Sequence, residues 1–93
     1  VVYLEPEALS SAHHAAQWYA STADLAEPFL QAVEAAIARA RSWPDAYPQV
    51  RRSRDLVVRR ILTRRFPYAI EYAVVPDGII VLAVRHQARR PPV

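Results

Sequence analysis

The sequence predicts an α+β domain of order β-α-α-β-β-β, in which a helical hairpin packs on one face of a small, mostly antiparallel sheet. Two observations carry this reading. Apolar residues recur at three-to-four spacing through residues 8–40, then alternate or run continuously from about residue 56 to 86. Strands grouped after helices, rather than alternating with them, fold as segregated layers. A third observation bounds the size. With 93 residues, 53% of them hydrophobic and 23% charged, the chain can hold one core but not two. The expectation is a single domain over 1–93, with the hairpin at about 5–43 and the sheet at about 56–86.

Val1-Val2-Tyr3-Leu4 is a short apolar run fit for a strand. Glu5-Pro6-Glu7 reads as a helix start, since Pro is tolerated in a first turn and acids favour the positive end of the helix dipole. Ala8, Leu9, Ala12, Ala15, Ala16 and Tyr19 then form a helical stripe to about Ala20. Ser21, Thr22 and Asp24 interrupt the pattern and offer N-cap oxygens to a second helix. Its stripe is Phe29, Val33, Ala36, Ile37 and Ala40, and Pro44 ends it near Ser42-Trp43.

Trp43 to Pro48 is a Pro-punctuated, aromatic connector expected to pack on the body, and Gln49 to Asp55 a polar, Arg-rich approach segment. Val57 to about Arg64 holds many β-formers, so a strand is expected there. Phe66-Pro67 interrupts. Tyr68 to Val75 alternates, with Tyr68, Ile70, Tyr72 and Val74 on one face and Ala69, Glu71, Ala73 and Val75 on the other. Pro76-Asp77-Gly78, which holds the only Gly, signals a tight turn. Ile79 to Val84 is nearly continuous in apolar residues and reads as a central strand covered on both sides. The Arg- and Pro-rich end, Arg85 to Pro92, reads as a basic tail.

Composition excludes several chemistries. The absence of Cys removes disulfides, thiolate zinc sites and cysteine nucleophiles. A single Gly removes a Gly-rich phosphate loop. His13 and His14 are adjacent, point about 100° apart on a helix and read as surface residues. No metal or cofactor is called for. No apolar run has membrane-spanning length, so the expectation is a cytoplasmic chain with no membrane partner. Its Val start fits a processed or trimmed N-terminus.

Charge is more telling. All 12 basic residues are Arg. Residues 1–38 carry five acids and no Arg, whereas residues 39–93 carry every Arg against four acids. Such polarity points to an anionic partner for the second part, nucleic acid or an acidic protein segment. Strand alternation puts Arg59 on one face and Arg60 and Arg64 on the other. Arg85 and His86 sit together at the exit of the last strand, and Arg65, Arg89 and Arg90 add to that end. An open sheet face could hold a phosphate backbone on Arg60, Arg65 and Arg89, with Tyr68 stacking a base. Metal-free RNA cleavage on such a face would use His86 as acid or base and Arg59 or Arg85 for the developing charge. A solvated face kept basic for solubility accounts for the same pattern, and Tyr68 and Tyr72 as core aromatics account for theirs.

The residues resemble the RelE/ParE superfamily of type II toxin–antitoxin toxins, which includes plasmid stabilisation proteins. The likeness covers nearly the whole chain. It rests on Trp18-Tyr19 before the helical turn, Phe29-Leu30-x-Ala32-Val33-Glu34, and Pro44-x-x-Tyr47-Pro48. It continues in Val58-Arg59-Arg60-x-Leu62-x-x-Arg65-Phe66-Pro67-Tyr68-x-Ile70-x-Tyr72 and in Leu82-Ala83-Val84-x-His86-x-x-Arg89-x-Pro91. The resemblance implies a growth-arresting toxin neutralised by a cognate antitoxin, as a hetero-oligomer, in a prokaryotic cytoplasm. RelE-like members cut mRNA on the ribosome, and ParE-like members act on DNA gyrase. The nuclease pattern often uses strand lysines, and this chain has none. Its last strand looks closer to the ParE-like branch, so the expected target is gyrase. An mRNA endonuclease is the alternative, and a non-toxic protein-binding module is the third reading. An acidic antitoxin tail would meet Arg51, Arg52 and Arg54 near a sheet edge.

Overall fold

The computed structural model describes residues 1–87. Along the chain lie β1 (Val2–Leu4), α1 (Pro6–Ala23), α2 (Ala26–Ser42), β2 (Gln49–Ser53), β3 (Leu56–Leu62), β4 (Tyr68–Val75) and β5 (Gly78–His86). The sheet runs β1-β5-β4-β3-β2. β1 is parallel to β5 and the other neighbours are antiparallel. The expected α+β order is kept, with one strand more.

That extra strand is β2, in the segment expected to be a polar approach. Arg54 and Asp55, both at positive φ (51° and 66°), turn the chain back so that Ser53 pairs with Leu56. As an edge strand, β2 needs no apolar face, which is why its polar sequence hid it. β3 stops at Leu62 instead of continuing to Arg64. Thr63 donates its N–H to the Tyr68 carbonyl (2.9 Å) and its Oγ1–H to the Phe66 carbonyl (2.7 Å), closing a tight loop that carries Arg64 and Arg65.

Both helices bury most of the expected stripes, but Leu9 is exposed and Ala12 and Ile37 are half-buried. Ala8, Ala15, Ala16 and Tyr19 of α1, and Phe29, Val33, Ala36 and Ala40 of α2, are buried. α1 runs on to Ala23, where Asp24 adopts a left-handed conformation (φ 53°) and the Leu25 N–H donates to the Tyr19 carbonyl at 3.1 Å. Asp24 therefore ends α1 rather than starting α2. The N-cap of α2 is Leu25, with no side-chain cap.

The helices cover the sheet face that carries Ile61, Ile70, Tyr72, Ile79, Val81 and Val84. Tyr19, Phe29, Phe66 and Tyr68 form an aromatic knot there, with the Phe29 and Tyr68 ring centroids 5.0 Å apart. The alternation read for β4 holds, and β5 is central as expected, between β1 and β4, but β4 is the more completely covered of the two. Ala69 to Ala73 are all buried, while Ile80 and Leu82 of β5 are half-buried. The connector 43–48 is pinned to the core face, because the Tyr72 hydroxyl donates to the Pro44 carbonyl (2.7 Å). Gly78 meets the start of β1 so closely that a Cβ would overlap the Val1 carbonyl.

Candidate functional site

The sheet face turned away from the helices carries an ion cluster built from four strands. Glu71 on β4 stands opposite Arg60 on β3 and Ala83 on β5. Arg51 reaches it from β2, with Nη2 and Nε donating to Oε1 at 2.8 and 3.3 Å. Arg85 Nε lies 3.2 Å from the other oxygen, Oε2. The Glu71 side chain is only 11% exposed, so both partners hold it in low-dielectric surroundings. Arg60 is exposed; its backbone N–H donates to the Pro48 carbonyl (2.9 Å), and its guanidinium makes no hydrogen bond or ion pair among the described residues. Two guanidinium groups thus hold one carboxylate, and Arg60 shares their face of the sheet. Around them lie Val58, Ala69, Ala73 and Ala83, buried on a face no helix covers; long neighbouring side chains supply the cover.

The opposite side of the same strands presents rings. His86 pairs in register with Tyr68, and their ring centroids are 5.0 Å apart. β1 accompanies β5 only as far as Val81, leaving the later residues of β5 beside α1. A cleft of about 1320 Å³ wraps this free edge. Arg51, Arg60, Glu71 and Arg85 line it from the open face, and Tyr68, His86, His14 and Trp18 from the helix side. Trp18 is 59% exposed.

The sequence-derived site residues are therefore divided. Arg51, Arg60, Tyr68, Arg85 and His86 share the cleft. Arg59 does not. It lies in register with Tyr72 on the helix face, and its Nη1 donates to the carbonyls of Asp45 (3.2 Å) and Tyr47 (2.7 Å). Arg52 and Arg54 are exposed at the β2 edge and its turn. Arg65 sits in the β3–β4 loop with its guanidinium 5.4 Å from the centre of the Phe66 ring. Arg89 lies outside the described residues. The sequence reading gave Glu71 no role in the site, whereas it gathers Arg51 and Arg85 on the open face. The sequence reading also missed His14 and Trp18 as cleft residues; the signal available was their four-residue spacing on one helix face.

Tyr72 serves structure. Burial pushes its phenol up to about 12, opposed by the positive charge of Arg59 and aided by Tyr47 and Asp45. It stays protonated at neutral pH and keeps donating to Pro44. The exposed Tyr3 hydroxyl donates to Asp77 Oδ2 at 2.6 Å, and that hydrogen bond, then the carboxylate's charge, raises its pKa. Among the described residues, no helix is long and apolar enough to cross a membrane.

The chain matches the family model described as the ParE toxin of the type II toxin–antitoxin system, parDE, across residues 2–91. No curated protein matches it. A solved chain from the chromosomal ParDE toxin–antitoxin system of P. aeruginosa has the same fold, with a TM-score of 0.64 over 91% of this chain and 92% of that one. Identity to it is 15%, so this likeness speaks to the fold alone. With the family model spanning both helices and all five strands, the chain belongs to the ParE toxin family of type II toxin–antitoxin systems.

Proposed function

We propose that the chain is a growth-arresting toxin that acts on DNA gyrase in the bacterial cytoplasm and is neutralised by a cognate antitoxin. The observation that carries the target is the division of chemistry across the sheet. Arg51 and Arg85 hold Glu71 on the open face, where Arg60 joins them, while Tyr68, Tyr72 and Arg59 lie on the helix face. Metal-free RNA cleavage needs base, cation and acid around one phosphate. Arg59 is occupied by two backbone carbonyls, and Arg85 leaves the strand on the side opposite to His86. A cationic face without rings suits a protein target better than a nucleic acid. The antitoxin is expected to contact Arg51, Arg52 and Arg54 along the β2 edge, by charge and by strand addition.

The cleft that joins His86, Tyr68, Arg60 and Arg85 favours the second reading, a ribosome-dependent mRNA endonuclease. Purified protein should inhibit gyrase supercoiling near stoichiometry, and His86→Ala should stay toxic. New RNA ends in translation extracts, lost with His86→Ala, would instead establish the nuclease. Normal growth on induction without antitoxin would support a non-toxic binding module.

A further inference from the structure

We infer that β1 is a self-pairing edge, through which a second copy of the chain joins the sheet in antiparallel register centred on Tyr3. The inference stands apart from the toxin reading and needs no particular target. Its first argument is the direction of the backbone groups. β1 pairs in parallel with β5, Tyr3 beside Ile80. The Val1 carbonyl accepts from the Ile79 N–H (3.1 Å), and the Glu5 N–H donates to the Val81 carbonyl (2.9 Å). Successive residues of a strand turn their N–H and C=O groups to opposite sides, so residues 1, 3 and 5 face β5 while Val2 and Leu4 face outward. A two-fold axis through Tyr3 sets Val2 of each copy opposite Leu4 of the other. Each such pair exchanges both of its hydrogen bonds, and every outward group of both strands finds a partner.

The second argument is the contrast between the two edges of the sheet. β2 carries Arg51 and Arg52 and an irregular register between Gln49 and Arg51, devices that keep an edge from pairing with its own kind. β1 carries Val2, Tyr3 and Leu4, with no charge and no bulge. Tyr3 is 44% and Leu4 49% exposed, and Leu9, whose N–H donates to the Glu5 carbonyl, is 59% exposed. A groove of about 440 Å³ opens beside Leu9, lined also by Pro6, Ser10 and His13. Pro6 has no N–H and begins α1, so no ladder runs past Glu5. The pairing length is thus that of β1 itself, which a second copy matches end to end. The joined sheet carries β2 and its arginines at each outer end.

Charge supplies a sign. Glu5 and Glu7 follow the strand, and Asp77 accepts from the Tyr3 hydroxyl. Residues 1–38 hold no Arg, and β2 lies at the far edge. Two copies therefore bring like charges together, and salt tightens their association, whereas salt weakens anything held by the arginines. The contact is at the low end of specific interfaces, which sets the dimer Kd at about 10–100 µM.

The whole chain has no Cys, so one introduced thiol is a unique reporter. In the paired copies the two Tyr3 residues form a non-hydrogen-bonded pair with Cα atoms about 4.5 Å apart, within disulfide reach. Under mild oxidation Tyr3→Cys should form a linked dimer about tenfold faster than Val50→Cys on the far edge. Sedimentation of the unaltered chain should show a monomer–dimer equilibrium that tightens about two- to threefold from about 0.05 to about 0.5 M salt. Leu4→Lys should stay monomeric, with an unchanged melting temperature in dilute solution. A chain that stays monomeric at about 0.5 mM, equal oxidation rates for the two cysteine variants, or weakening by salt overturns the inference. If Tyr3→Cys does not fold, Leu4→Lys against the unaltered chain decides, and equal association overturns it. A monomer whose Tyr3→Cys thiol is shielded from alkylation only by bound antitoxin would give the edge to the antitoxin and overturn the self-pairing.

Discussion

Arg51 reaches Glu71 across the whole width of an intervening strand, placing two nitrogens on one carboxylate oxygen at 2.8 and 3.3 Å. The contact ties the edge strand β2 to the central strand β4 past β3. The Arg51 side chain is 40% exposed, so solvent screens the pair. A double-mutant cycle with Arg51→Ala and Glu71→Gln should give a coupling of about 0.5–1 kcal/mol in denaturant unfolding. The coupling should shrink in molar salt, and a value of zero in low salt would make the contact decorative.

Tyr72 makes the fold sensitive to high pH. Its pKa is raised from 10.0 to about 12 in the folded chain. Between those values the unfolded phenol has lost its proton while the folded one keeps it, so the stability it contributes is complete below pH 10 and lost as pH climbs toward 12. Tyr72→Phe should cost about 1 kcal/mol at pH 7, from the missing bond to Pro44. It should also flatten the decline of melting temperature above pH 10. An identical alkaline profile in the variant would refute this.

Arg59 is expected to hold the connector rather than a substrate. Its guanidinium bridges the carbonyls of Asp45 and Tyr47, with the Asp45 carboxylate 3.8 Å away. Lys cannot span both acceptors in the same plane. Arg59→Lys should therefore lower stability by about 1–2 kcal/mol while toxicity at permissive temperature persists. Toxicity lost at full stability would return Arg59 to the list of catalytic groups.

The β2–β3 turn carries strain that can be relieved. Arg54 and Asp55 both hold positive φ, which every residue but Gly adopts at a cost, smallest for Asn and Asp. The Arg54→Asn, Asp55→Gly double variant should raise stability by about 0.5–1.5 kcal/mol. A fall in its unfolding midpoint would show that the Arg54 side chain makes a stabilising contribution of its own.

Much of the fold was legible because its signals are local. The stripe from Phe29 to Ala40 and the alternation from Tyr68 to Val75 each show a period that a short window reveals, and Pro44 and Gly78 mark ends by backbone chemistry. β2 was illegible for the converse reason. Gln49–Ser53 has no strand period of its own and is ordered by pairing with β3. The same limit applied to Asp24, whose side chain suits an N-cap but whose left-handed backbone closes the preceding helix.

Sequence by itself determined the layering, the buried stripes and the concentration of arginine in the second part, since each follows from residue type and spacing along the chain. Only the tertiary structure decided which arginines act together. Arg59 and Arg60 are neighbours in the chain yet lie on opposite faces, one clamped to the connector and the other beside Glu71. Arg51, Glu71 and Arg85 come from three strands and meet because register and sheet order place them on one face. Side-chain direction flips with every residue of a strand, so a cluster of this kind exists only once the pairing of distant segments is settled.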